Sequence, residues 1–175
     1  MEQKILREIL DWIKYIAIAV VLALLLRHFV IMNIKVPTPS MLPTIQVGDQ
    51  LLVNRFLYRF TPPRRGDIVV FKYPDDPEGI PYVKRLIGVG GDEVEIKEGE
   101  LYINGQRVEE DYIYEEMRGS FGPYHVPEGG YFMMGDNRND SKDSRFWNNK
   151  YVTDDLIIGK AYFTLFPLNR TGVLE

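Results

Sequence analysis

Ser40 stands in Val36-Pro-Thr-Pro-Ser-Met-Leu-Pro-Thr44, where Pro37, Pro39 and Pro43 fix φ and bias the residues before them toward extended backbone. The serine is held on a stiff, non-helical segment, a setting that suits a nucleophile and equally suits an ordinary turn. A serine hydroxyl attacks poorly near neutral pH unless a base takes its proton. His28 and His125 are the chain's two histidines, and neither has a sequence context that suggests a triad. Lys84 is different. It lies inside Tyr82-Val-Lys-Arg-Leu-Ile-Gly88, where strand alternation puts Tyr82, Lys84 and Leu86 on one face. A lysine among aromatic and apolar side chains is desolvated, its pKa falls, and its neutral amine can accept the serine proton. The same residues also read as an exposed strand lysine whose amine reaches water.

A second polar segment, Gly135-Asp-Asn-Arg-Asn-Asp-Ser-Lys-Asp-Ser-Arg145, invites a metal reading. As a calcium loop from Asp136 it would put Arg138 at a ligand position, Ser141 where the turn glycine belongs and Trp147 in place of the bidentate glutamate, so the pattern argues against calcium. Gly88-Val-Gly-Gly91 lacks the glycine spacing of a nucleotide loop and runs into a hairpin pattern, so it reads as a turn. The absence of cysteine excludes disulfides, thiolate zinc sites, iron–sulfur clusters and a Cys nucleophile. No metal and no cofactor is expected. A formal net charge of -4 leaves no basic excess for phosphates, and nucleic acid is not an expected partner.

The elements that must position these residues fall into two parts. Residues 12–32 are almost all apolar and include an unbroken run at 15–26, enough to span a bilayer core of ~30 Å at ~1.5 Å per residue. Trp12 and Tyr15 suit one interface, and Arg27 and His28 could snorkel at the other. A buried core helix or a cleaved leader would be the rivals, but the apolar residues cover every face and no small-x-small site follows. Residues 1–33 are therefore read as an N-terminal end and transmembrane anchor, and residues 34–175 as one β-rich domain. The orientation of the anchor stays open at this point, because Lys4, Arg7 and Lys14 precede the span while Arg27 and Lys35 follow it. Strands are expected at residues 50–56, 67–71, 82–89, 131–134 and 156–166, with successive hairpins across 92–108 turned at Glu98-Gly99 and Asn104-Gly105. The aromatic stretch from Leu51 to Phe60, with Phe56, Leu57, Tyr58 and Phe60, could rest on lipid or belong to a core strand.

In this order the anchor, the Ser40 box, Arg65-Gly-Asp-Ile-Val-Val-Phe71, the Lys84 box and the Gly135 to Arg145 box resemble the bacterial type I signal peptidases, the leader peptidase family of Ser/Lys proteases, in their short, Gram-positive-style form. The resemblance covers nearly the whole chain. It implies a mostly β, signal-peptidase-like catalytic domain behind one N-terminal transmembrane helix, with Ser40 as nucleophile and Lys84 as general base. It further implies that the Thr38 hydroxyl joins the Ser40 N–H in the oxyanion hole, that Ser141 hydrogen-bonds and orients the Lys84 amine, and that Asp143 pairs with Arg145 beneath the site. Asp136 and Arg138 would serve the same scaffold. The chain departs from the family pattern in having Thr38-Pro39 before the serine and Asn139-Asp140 where the order is usually reversed.

The activity so implied is removal of N-terminal signal peptides from exported preproteins, by cleavage after small residues in an A-x-A-like pattern, with Val36 and Val83 as candidate walls of the shallow pockets. The expected location is the cell membrane, single-pass, with the N-terminus cytoplasmic, the catalytic domain extracytoplasmic, the lipid bilayer as a partner and the protein export machinery nearby. Two other classes compete. A self-cleaving regulatory protease shares the Ser/Lys logic but is soluble and carries an effector segment. A membrane-anchored, non-catalytic β module would leave the Ser40 and Lys84 contexts coincidental.

Overall fold

The computed structural model describes the backbone of residues 2–29 and 31–174 and the side chains of residues 4–24 and 32–174. Helix α1 (Glu2–Phe29) leads into the sheet region. Its described side chains are exposed, among them Trp12, Ile16, Val20 and Leu24. Among the described residues no helix is long and apolar enough to cross a membrane. Lys4, Arg7, Glu8, Asp11 and Lys14 interrupt the described part of α1. The expected span at 12–32 is thus not reproduced, and it runs over residues 25–31, which lie outside the described side chains, as does His28. Its last residue, Met32, already belongs to a strand.

That strand is β1 (Ile31–Lys35), followed by β2 (Gln50–Asn54), β3 (Ile68–Lys72), β4 (Pro81–Val89), β5 (Glu93–Lys97) and β6 (Glu100–Ile103). The short β7 (Gln106–Arg107), β8 (Phe121–His125), β9 (Gly130–Met134), β10 (Val152–Thr153), β11 (Ile157–Phe166) and β12 (Gly172–Val173) complete the described set. The larger sheet runs β1-β2-β11-β3-β4-β9-β10 with β12 on β11, and the smaller runs β7-β6-β5-β8. The β5–β6 and β6–β7 hairpins turn where expected, with positive φ at Glu98 and Gly99 and again at Asn104 and Gly105, the backbone that a two-residue primed turn requires.

Period-2 alternation sorts the core. Ile68 and Val70 of β3 pack with Met41, Ile45, Leu51, Val53 and Ala161, whereas Val69 and Phe71 face the other way, onto Leu86, Met133 and Trp147. A third cluster joins the sheets: Ile87, Phe132 and Met134 meet Val94, Ile96, Leu101 and Ile103. The aromatic stretch divides the same way, since Leu51 and Val53 are core while Phe56 and Phe60 are exposed beside a 3-10 turn at Leu57–Arg59.

Three segments converge from this frame. The connection from β1 to β2 carries Ser40 and is pinned at its neck by Val36 N–H to Asp49 O (2.9 Å) and Gly48 N–H to Val36 O (2.8 Å). The middle of β4 carries Lys84, and the loop after β9, the strand beside β4, carries Gly135 to Arg145.

Candidate active site

Ser40 opens a tight turn in which Leu42 N–H bonds Pro39 O (3.1 Å) and Ile45 N–H bonds Met41 O (2.8 Å). Met41 and Ile45 are wholly buried in the β2–β3 core, so apolar packing anchors the turn and leaves the Ser40 side chain at the surface of that core. Lys84 reaches it from β4, with Nζ 2.6 Å from Ser40 Oγ and 3.2 Å from Val83 O. Tyr82 and Leu86, two residues either way along the strand, belong to the apolar cluster on the face that Lys84 shares, and Nζ lies 5.6 Å from the Tyr82 ring centre. Lys84 is 4% exposed and Ser40 6%. Burial lowers the lysine pKa from 10.5 to about 8, against the opposing pull of Asp143 and Asp136. A group with that value is substantially neutral in mildly alkaline water, which a free lysine is not.

The remaining residues singled out in the sequence lie around this pair. Thr38 Oγ1 is 3.2 Å from Ser40 Oγ. Val36 and Val83 both line a cleft of about 690 Å³ that opens beside Ser40 and Lys84, with Ile34, Pro81 and Tyr82. Asp143 and Arg145 form a buried two-bond pair, both contacts 2.8 Å, and Asp143 also accepts the Gly135 N–H at 3.1 Å. Ser141 is placed differently from its expected contact. Its Oγ is buried without a hydrogen-bond partner among the described residues, because it packs on the Gly135 backbone while the Lys84 amine bonds Ser40 and Val83 O. A Cβ on Gly135 would lie 2.3 Å from Ser40 O and 2.4 Å from Ser141 Oγ. Glycine is required there by close approach.

Other groups tie the loop to the serine turn. Asn137 N–H donates to Ser40 O (3.1 Å) and Asn137 Nδ2 to Pro39 O (3.2 Å). Arg85 clasps Asp136 with two bonds of 2.9 and 2.8 Å, and Asp136 also accepts the Thr44 hydroxyl at 2.6 Å. His125 lies on β8 of the smaller sheet, with its side chain 77% exposed and 3.5 Å from Glu93.

A hydroxyl held 2.6 Å from a buried amine of lowered pKa is an arrangement suited to nucleophilic attack on a carbonyl. The sequence model of the family described as "Signal peptidase, peptidase S26" matches residues 9–166 of the chain. The chain belongs to the signal peptidase S26 family. It is 42% identical to a signal peptidase I from Leptolyngbya laminosa over 172 residues, covering 95% of this chain and 84% of that protein. It is also 42% identical to signal peptidase I T from Bacillus subtilis over 171 residues, 92% of this chain and 87% of that one. The crystal structure of a signal peptidase I from Enterococcus faecalis superposes with a TM-score of 0.50 at 35% identity, covering 57% of this chain and 97% of that one. The β-rich signal-peptidase fold and the serine endopeptidase class follow from that membership. Within this signal peptidase, Thr44, Arg85 and Asn137 stand in the quoted boxes without a role assigned to them there, and Glu110 and Tyr112 stand outside every box, because their contacts with the site join segments remote along the chain.

Proposed function

We propose that this signal peptidase removes N-terminal signal peptides from exported preproteins as a membrane-bound endopeptidase, with Ser40 as nucleophile and Lys84 as general base. The observation that carries the reading is the 2.6 Å contact between Lys84 Nζ and Ser40 Oγ inside a site that lowers the lysine pKa. Neutral Lys84 takes the Ser40 proton as Oγ bonds to the scissile carbonyl carbon. The developing oxyanion accepts hydrogen bonds from the Ser40 N–H and the Thr38 hydroxyl. Protonated Lys84 returns its proton to the amine as the C–N bond breaks, leaving an ester on Ser40. Lys84 then takes a proton from water as the water oxygen bonds to the ester carbon, and returns that proton to Ser40 Oγ as the acyl C–O bond breaks and the carboxylic acid product leaves.

Ser141, Asp143 and Arg145 serve as support. Asp143 and Arg145 hold the loop, and Ser141 packs its buried hydroxyl against the Gly135 turn beside Ser40. Val36 and Val83 leave room in the cleft for small side chains at the first and third positions before the cut, the pattern of signal-peptide cleavage sites. Anchorage through α1 in a single pass, with residues 34–175 outside the cytoplasm, is supported by the exposed apolar side chains from Ile9 to Leu24. The test is cleavage of a preprotein in detergent. Wild type should release the mature protein and Ser40→Ala should not, and cleavage by Ser40→Ala at a near-normal rate would overturn the reading.

A further inference from the structure

Residues 108–118, between β7 and β8, form an irregular strap that the chemistry above does not use. Its side chains nevertheless close two buried guanidinium clasps behind Ser40 and Lys84. Glu110 grips Arg138 with bonds of 2.5 and 2.6 Å, and the two side chains are 6% and 0% exposed. Arg138 Nε in turn donates to Gly135 O at 3.0 Å, and Gly135 is the residue whose backbone presses on the Ser40 carbonyl. The second clasp is that of Arg85, the neighbour of Lys84 on β4, with Asp136. The Tyr112 ring centre lies 3.9 Å from the Arg85 guanidinium carbon, and Tyr112 OH donates to Glu110 at 2.6 Å, linking the clasps. Further along, Tyr114 N–H bonds Asp136 O (3.2 Å) and Asn139 Nδ2 bonds Glu116 O (2.9 Å), so the strap follows the loop along its length.

We propose that Glu110 and Tyr112 are positioning residues for the reaction, acting through Arg138 and Arg85 to fix the Gly135 turn and the Lys84 strand against Ser40. The inference rests on the Ser40 and Lys84 assignment. Its physical basis is transmission through close packing. Arg138, with no water around it, needs a carboxylate partner, and its Nε fixes the Gly135 carbonyl only while the guanidinium is held. Gly135 has no room to shift without moving the Ser40 backbone or Ser141. Displacement of about 1 Å between reacting groups costs as much as about a hundredfold in rate.

The test uses the full chain in detergent and a short peptide with small residues at the two specificity positions. Glu110→Gln removes the charge but keeps the shape, and Tyr112→Phe removes one hydrogen bond but keeps the ring over Arg85. In Glu110→Gln, kcat per folded molecule should fall about tenfold to a hundredfold while KM stays within about twofold, since the loss falls on the transition state. The acidic limb of its kcat/KM against pH, which the proposed Lys84 base should set, should also move to higher pH. Asp143 and Asp136 are the charged groups acting on the Lys84 amine, and both remain, so a looser enclosure of the amine leaves their pull less opposed. Tyr112→Phe should shift kcat and the limb in the same directions by less.

Folding is followed by near-ultraviolet circular dichroism, and rates are scaled to the folded fraction. A folded Glu110→Gln with unchanged kcat and limb overturns the proposal. If that variant does not fold, Tyr112→Phe decides, and wild-type kcat and limb in it overturn the proposal equally. Ser40→Ala run in parallel separates the two levels. Activity that survives it defeats the dyad itself, whereas a dead Ser40→Ala beside a fully active Glu110→Gln defeats only the role of the strap.

Discussion

Lys84 has neighbours that give its protonated form no water, and its pKa falls as a result. Tyr82 and Leu86 flank it on the strand, and the turn at Ser40 closes over its amine. Neither Ser40 nor Lys84 is needed to fill the core, so Ser40→Ala and Lys84→Ala should each fold normally and each lose several orders of magnitude in turnover. The double variant should be no worse than either single one, because the two side chains act as a unit. Peptide hydrolysis by the three variants checks this, and near-normal cleavage by either single variant would refute the pair. The histidines offer the contrasting case. His125 is exposed on the smaller sheet, so replacing both His28 and His125 with Gln should leave the rate within about tenfold, a barrier change below about 1.4 kcal/mol. A thousandfold loss in the same assay would reinstate a histidine base.

The elements bring together segments far apart in sequence, and the tightest junction is Gly135 against the Ser40 turn. Gly135→Ala would place a methyl 2.3 Å from Ser40 O. The expected result is a fold weakened by about 1–3 kcal/mol, as for other overpacked cores. Turnover should fall much further than that destabilisation explains, and thermal melts beside kcat measurements distinguish the two effects. Much of this element plan was legible beforehand. Strand alternation put Lys84 on one face with Tyr82 and Leu86, the compact apolar run at 67–71 marked β3, and Glu98-Gly99 and Asn104-Gly105 marked real hairpin turns. β1 was hidden because Ile31, Met32 and Ile34 are as apolar as a helix end, and only pairing with β2 reveals them as a strand. β8 was hidden by Gly122-Pro123, which reads as a loop. Glu110 and Tyr112 had no local pattern at all, since their meaning comes from guanidiniums that other segments deliver. Ser141 was located near the site, but its hydroxyl direction depends on packing against Gly135, which no motif records.

At the scale of the whole molecule, the β1 boundary changes how the anchor is tested. Met32 packs on the core and Ile31 pairs with Asn54, so a truncation should stop at Phe29 to keep the sheet edge. Such a protein should still cut short peptides but process membrane-embedded preproteins poorly, because α1 would concentrate enzyme and substrate in one plane. Equal rates of cleavage of vesicle-borne preprotein by both forms would show that α1 contributes nothing. The pH response is also a property of the whole fold. The Lys84 pKa in the folded chain, about 8, lies below its unfolded value of 10.5. Between those values the unfolded chain binds more protons, so the stability contribution of this group rises with pH. The penalty is full below about 8, on the order of 3 kcal/mol, and vanishes above the unfolded pKa. With Lys84 as the proposed base, activity should follow the same folded pKa, because only the neutral amine can accept the Ser40 proton. The most direct measurement is therefore the pH dependence of kcat/KM for peptide cleavage by the wild type and by Lys84→Ala. The dyad predicts an acidic limb near pH 8 in the wild type and its absence from any residual activity of the variant. A limb near pH 6.5 that persists in Lys84→Ala and disappears with His125→Gln would contradict it.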